Sequence, residues 1–119
     1  MSKEIVHEAH VSGPKVSLVL PVRDCQNEVA DRIERTLQQV EQYVGSSCEV
    51  VVVDDGSEDE TVARLQGVQQ KHRNVRLARH SRPRGMESAG QTGLERSVGE
   101  VVLIAENEHP LRGQDLQQL

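Results

Sequence analysis

Two carboxylates, Asp54 and Asp55, stand side by side where the apolar run of residues 50–53 ends, and Gly56 and Ser57 follow at once. Burying a carboxylate without a partner is expensive, so acids at the end of a buried strand need either local donors or a ligand. Gly56 lets the backbone turn sharply, and Ser57 with Glu60 matches the Ser-x-x-Glu capping box that opens a helix. Both aspartates precede that helix, where the partial positive charge of its N-terminus eases a carboxylate. Two readings stand for the pair. It caps and turns the chain, or it accepts hydrogen bonds from the base or ribose edge of a nucleotide, as acids at strand ends do in open α/β sheets. Ser57 already supplies a cap, which shifts the weight for the pair towards the ligand.

Comparable groups recur elsewhere. Residues 21–28 follow the apolar run 15–22, and Glu106-Asn107-Glu108 follow the apolar run 100–105. Glu106 and Glu108 are either hard oxygen ligands for a divalent cation or solvated loop acids. Arg23, and Arg82 and Arg84 around Pro83, are either phosphate contacts or solvated guanidinium groups. His109 beside the acids is a base candidate or a surface loop residue. Gly90 and Gly93 lack the Gly-x-Gly-x-x-Gly pattern of a phosphate loop and read as positions where a helix packs closely.

The elements that must hold these groups are legible. Residues 15–22 form a short β-branched run, as in a strand buried on both faces, and Pro21 is expected to end it because proline cannot donate to a central ladder. Val29, Ile33, Leu37, Val40 and Val44 form a helical stripe closed by Gly45-Ser46-Ser47. Residues 49–54 make a second buried strand, and Val62, Leu65 and Val68 continue a helix behind Ser57. Residues 74–80 alternate Val75, Leu77 and Arg79 against polar neighbours, which predicts a third, less buried strand. Residues 86–99 predict a third helix, and residues 100–105, apolar throughout, a fourth strand. The order β-α-β-α-β-α-β with short connections predicts an α/β fold, a three-layer α-β-α, Rossmann-like arrangement around a mainly parallel sheet. Ligands of such sheets bind beyond the carboxyl ends of the strands, the edge on which residues 21–28, 54–57 and 106–108 all fall.

Composition narrows the partners. The chain has 119 residues and one aromatic, Tyr43, which excludes the stacking platforms that bind single-stranded nucleic acid. A net charge of −5 argues against phosphate-backbone or anionic-membrane binding. Cys25 and Cys48 have no metal-site spacing and read as free thiols of a cytoplasmic protein. No signal-peptide core and no apolar run of membrane-spanning length is present. Residues 1–14 read as a loose N-terminal arm, 15–112 as one domain, and 113–119 as a C-terminal tail.

Taken in order, "VSLVLPVRDCQNE", "EVVVVDDGSEDET" and "RPRGMESAGQTGLERSVGEVVLIAENEHP" resemble the successive blocks of family 2 glycosyltransferases, enzymes of the GT-A fold. The third block, with Arg84-Gly85, Ser88-Ala89, Gly93-Leu94 and Gly99-Glu100, resembles the dolichyl-phosphate mannose synthase branch. The resemblance implies the nucleotide-binding half of a GT-A domain and inverting transfer from a UDP- or GDP-linked sugar. Pro21, Val22 and Arg23 would line the nucleotide pocket, Asp54 would face the base or ribose with Asp55 supporting it, and Arg84 would lie near the pyrophosphate. Glu106 and Glu108 would hold Mn²⁺ or Mg²⁺ on the diphosphate.

The chain departs from the family at three places. Asp-x-Asp is replaced by Glu106-Asn107-Glu108, and the extra methylene moves each carboxylate by roughly 1.5 Å, against a tolerance of about 0.5 Å at such sites. The loop that often reads Pro-x-Tyr-Asn-Glu reads Pro21-Val22-Arg23-Asp24-Cys25. The family's acceptor-binding half and catalytic base come from later sequence. The expectations are therefore a nucleotide-sugar-binding domain, incomplete or weakly active by itself, or a non-catalytic scaffold derived from such an enzyme. In either case an uncovered sheet edge would favour a homodimer.

Overall fold

The computed structural model describes residues 13–105. Seven elements follow one another: β1 (Val16–Val22), α1 (Val29–Val44), β2 (Cys48–Asp55), α2 (Thr61–Lys71), β3 (Val75–His80), α3 (Met86–Arg96) and β4 (Val101–Ile104). The strands form one sheet in the order β3-β2-β1-β4, with every neighbouring pair parallel. The α/β, three-layer, Rossmann-like expectation is met.

The layering follows from the direction of the crossovers. The connections β1-α1-β2 and β2-α2-β3 step one way across the sheet, and β3-α3-β4 returns the other way. Crossovers of one hand then place α1 and α2 on one face and α3 on the other. On the first face Val29, Ile33, Leu37 and Val40 of α1 and Leu65 and Val68 of α2 pack on Val16, Leu18, Leu20, Val50 and Val52. On the second, Ala89 of α3 packs with Val19, Val51, Val53 and Ala78. The central strands β1 and β2 are buried along their whole length, which is why their sequences are continuously apolar.

Gly93 is where α3 presses on the sheet. A Cβ there would stand 2.2 Å from Val19 Cγ1. Gly90 has no such constraint, since its nearest neighbour would be Ile104 Cγ2 at 3.6 Å. Close packing thus explains Gly93 and not Gly90.

Four expectations about the elements need correction. Pro21 does not end β1, which continues to Val22. The Lys15 and Val19 carbonyls accept from Val101 and Ala105, so odd-numbered positions of β1 face β4. The next bond of that ladder would run from the N–H of residue 21 to the Ala105 carbonyl, so Pro21 ends the pairing with β4 at Val19 while β1 stays paired with β2 through Val22. Residues 86–99 are not all helix: α3 stops at Arg96, because the Val98 and Gly99 amides turn to bind Glu49 and Ser17. The third strand does not alternate as expected: Val75, Ala78 and His80 are buried, Leu77 is half-buried and Arg79 is exposed. The fourth strand, apolar throughout, is an edge and not buried, with Val101 37% and Ile104 45% exposed.

At the amino edge of the sheet a charge is buried that the sequence reading passed over. Glu49 is 5% exposed. It accepts from Ser17 Oγ at 2.5 Å, the Val98 N–H at 2.8 Å and Arg76 Nη1 at 2.7 Å. Burial works to raise its pKa, but these donors together with the Arg76 charge outweigh it and hold the carboxyl below its ordinary value.

Candidate functional site

The carboxyl edge gathers all the candidate residues that fall within the described range. In the sheet register Pro21 lies beside Val53 and Val22 beside Asp54, while Asp55 lies beside His80. Arg23 follows directly at the end of β1, and Arg84 is carried on the loop between β3 and α3. Glu106, Glu108 and His109 lie outside the described residues, as do residues 1–12 of the arm and the tail 113–119. Ala105, immediately before Glu106, is anchored at this edge by its N–H to the Val19 carbonyl at 2.8 Å.

Asp54 is fully buried, and both its oxygens are engaged within the turn. The Ser57 N–H donates to Oδ2 at 3.0 Å and the Ser57 hydroxyl to Oδ1 at 2.6 Å. Ser57 therefore does not cap α2 as the capping-box spacing predicts. Its hydroxyl is spent on Asp54 and on accepting the Asp24 N–H at 2.8 Å, and α2 begins only at Thr61. Asp59 takes over at the helix start, accepting the Thr61 N–H at 2.9 Å.

The loops after β1 and β2 clasp each other. Asp24, in a left-handed conformation with φ 47°, accepts the Glu58 N–H at 2.8 Å. The Cys25 N–H donates to Thr61 Oγ1 at 2.8 Å, the Gln26 N–H to Asp59 Oδ2 at 3.2 Å, and Gln26 Oε1 accepts the Glu60 N–H at 2.8 Å. The Thr61 hydroxyl and N–H pull the half-buried Asp59 carboxyl below its ordinary pKa. Arg23 stays 46% exposed, within 3.6 Å of Asp24, a geometry worth little in water.

Asp55 is held by three donors. His80 Nδ1 and the Arg84 N–H reach Oδ1, and the Gly85 N–H reaches Oδ2, all at 2.8 Å. Burial works to raise its pKa, but the bonds from His80, Arg84 and Gly85 and the coulombic effect of His80 outweigh it and hold the carboxyl below the ordinary aspartate range. Gly56, with φ 73°, supports the same loop from the other side. A Cβ there would lie 2.4 Å from Pro83 N and 2.5 Å from Arg82 C. The side chains of Arg82 and Arg84 remain exposed.

In this structure each aspartate thus performs the capping and turning role of the two roles open from sequence. Asp54 fixes the β2 turn, and Asp55 fixes the basic loop. What the edge presents outward is the backbone end of β1, Arg23, and the Arg82–Arg84 loop. The clasp residues Asp24 and Asp59, and His80 with its partner Thr92, went unnoticed in the sequence. His80 carried one usable signal, its position at the carboxyl end of a strand beside the basic loop. Among the described residues no group of three or more His, Cys, Asp or Glu side chains is placed to hold a metal ion, and no helix is long and apolar enough to cross a membrane.

Comparison with known proteins agrees with this geometry. A curated relative, dolichol-phosphate mannosyltransferase from Pyrococcus furiosus, is 33% identical over 101 residues, covering 81% of this chain and 27% of that protein. The undecaprenyl-phosphate 4-deoxy-4-formamido-L-arabinose transferase of Pectobacterium carotovorum is also 33% identical, over 74% of this chain and 27% of its own length. The chain therefore spans about a quarter of the length of these relatives. Among solved structures, the mannosyltransferase PcManGT from Pyrobaculum calidifontis, in complex with GDP-Man and Mn²⁺, superposes with a TM-score of 0.63 at 28% identity over 79% of this chain and 27% of that one. TarS 1-349 from S. aureus, in complex with UDP, gives a TM-score of 0.70 at 22% identity over 87% of this chain and 30% of its own, a likeness of fold. The family model for glycosyl transferase family 2 matches residues 17–108, from the start of β1 through the acidic triplet, and the chain belongs to that family.

Proposed function

We propose that this domain binds the nucleotide diphosphate of a UDP- or GDP-linked sugar at the carboxyl edge of its sheet, as the donor half of an inverting glycosyltransferase. The observation that carries the reading is convergence. The end of β1, the Asp54–Ser57 turn and the Arg82–Gly85 loop meet on one edge, and Asp55 ties the last two together. The matches to a mannosyltransferase in complex with GDP-Man and to a protein in complex with UDP support the ligand class.

Pro21 and Val22 supply a rigid, buried wall, and Arg23 and Arg84 supply exposed guanidinium groups on either flank of the Gly56 turn for the diphosphate. Asp54 and Asp55 stand buried at the strand end, their oxygens engaged within the turn and the basic loop. A direct bond from either to a base or ribose exchanges one of the present intramolecular bonds for a ligand bond. Glu106 and Glu108 are the residues that would hold Mn²⁺ or Mg²⁺, both of which take oxygen ligands. When bound, the cation neutralises the charge of the departing nucleotide diphosphate. The acceptor hydroxyl attacks the anomeric carbon from the side opposite the departing diphosphate.

Titration with UDP, GDP, UDP-GlcNAc and GDP-mannose, with and without Mn²⁺, followed by amide chemical shifts, tests the reading. Shifts centred on residues 21–23, 54–57 and 82–85 are expected, enhanced by the metal. No binding at millimolar nucleotide would remove the reading. It would leave a family-derived scaffold, which a different observation favours: the apolar edge of β4, with Val101 and Ile104 exposed, presents a surface for a second copy of the chain.

A further inference from the structure

We infer that His80, backed by Thr92, is a positioning residue for the basic loop: it fixes Asp55 in the one orientation that anchors the Arg84 and Gly85 amides, and so sets where Arg84 meets a nucleotide diphosphate. The inference rests on the nucleotide reading and adds to it a residue that touches no ligand.

The chemistry of the chain of bonds requires a proton on His80 Nδ1. An ionised carboxylate only accepts, so the 2.8 Å contact between His80 Nδ1 and Asp55 Oδ1 requires hydrogen on Nδ1. In the neutral imidazole Nε2 is then a bare acceptor, and the Thr92 hydroxyl 2.8 Å away must donate to it. The side chains of His80 and Asp55 are 4% and 1% exposed, so water does not compete for these bonds. With Oδ1 shared between His80 and Arg84, Oδ2 is left pointing at the Gly85 N–H.

The relay closes a ring through three elements. Asp55 ends β2, His80 ends β3, Thr92 lies within α3, and Gly85 is the residue immediately before α3. The loop inside the ring has no freedom on its other side, where Gly56 touches the Arg82-Pro83 peptide. Removing the His80 bond frees Asp55 to rotate, loosens the Arg84 and Gly85 amides, and displaces the Arg84 guanidinium without altering Arg84 itself.

Three measurements on the full chain decide the matter. In the wild-type protein a long-range ¹H–¹⁵N spectrum is expected to show His80 protonated on Nδ1 at neutral pH, and an Nε2–H tautomer would overturn the inference. His80→Leu removes the donor, whereas His80→Asn keeps a nitrogen donor at the δ position. The Arg84 and Gly85 amide signals are expected to move in His80→Leu and to stay near their wild-type positions in His80→Asn. Affinity for UDP and GDP is expected to fall roughly tenfold in His80→Leu, the scale on which supporting residues act at ligand sites, and to be restored in His80→Asn. A folded His80→Leu protein that binds like wild type, or a His80→Asn protein as weak as His80→Leu, would refute the role. If His80→Leu does not fold, Thr92→Val leaves His80 in place and is expected to shift His80 Nε2 and the same two amides; unchanged amides would refute it. A wild-type chain that binds neither nucleotide would remove the functional reading and the affinity claim with it. The amide signals alone would then support or overturn the positioning role.

Discussion

Gly56→Ala puts the site's geometry to a quantitative test. Two separate penalties meet at this residue. With φ at 73°, an alanine adopts the left-handed conformation, at roughly 1–2 kcal/mol. Its Cβ also stands 2.4 Å from Pro83 N, where ordinary contact begins at 3.4 Å, so the 82–85 loop must retreat by about 1 Å. The Arg84 and Gly85 amides now lie 2.8 Å from Asp55, and a retreat of that size breaks or badly weakens at least one bond to a charged acceptor, worth about 1.5–3 kcal/mol. The total is about 2.5–5 kcal/mol, a large share of the stability of a small domain. Gly45→Ala is the control, because Gly45 has φ 62° but nothing within 4 Å of the added carbon. It should cost only the backbone strain. Urea unfolding of both variants gives the difference, and amide shifts at Arg84 and Gly85 show where it arises. Equal destabilisation by the two substitutions, or unmoved amides in Gly56→Ala, would refute the claim that Gly56 seats the basic loop.

The remaining predictions concern the rest of the molecule. Gly93→Ala drives a methyl into Val19 and is expected to destabilise by about 1–3 kcal/mol despite the better helix propensity, whereas Gly90→Ala, in open contact, is expected to stabilise by up to about 1 kcal/mol; a thermal or urea comparison that ranks them the other way would overturn the packing account. Glu49 and Asp55 both have folded pKa values below their ordinary ones, so the stability they contribute is present above the unfolded-state values near pH 4 and is lost as pH falls through the lowered folded values. Glu49→Gln should accordingly be less stable than wild type at pH 7, with the gap closing as the solution is acidified; a gap independent of pH would mean that the Glu49 charge contributes nothing. The exposed β4 edge predicts self-association, to be read by light scattering after size exclusion, and a monomer at micromolar concentration would count against it.

Much of this protein was readable in one dimension because the determining signals are local. A stripe at steps of four, four, three and four residues makes α1 whatever it packs against, and Gly45 ends it at a positive φ of 62° that suits glycine. Unbroken Val and Leu runs identify β1 and β2 as interior strands, and the alternation of strand and helix fixes a parallel sheet and therefore a ligand edge. The residues on that edge, and the family, follow from order along the chain. Where each side chain points was decided by contacts far apart in sequence. Ser57 matches a helix cap and serves Asp54 and Asp24 instead. The run 100–105 is apolar enough for an interior strand and lies at the edge, because only the sheet order states which strands have two neighbours. Glu49 reads as an unremarkable strand flank and is a buried charge, since its donors, Ser17, Arg76 and Val98, come from other elements. Asp55 is the clearest case. Sequence placed a carboxylate at a ligand-facing strand end, and only the approach of β3 and α3, which brings His80, Arg84 and Gly85 to its two oxygens, decided that it would hold the loop.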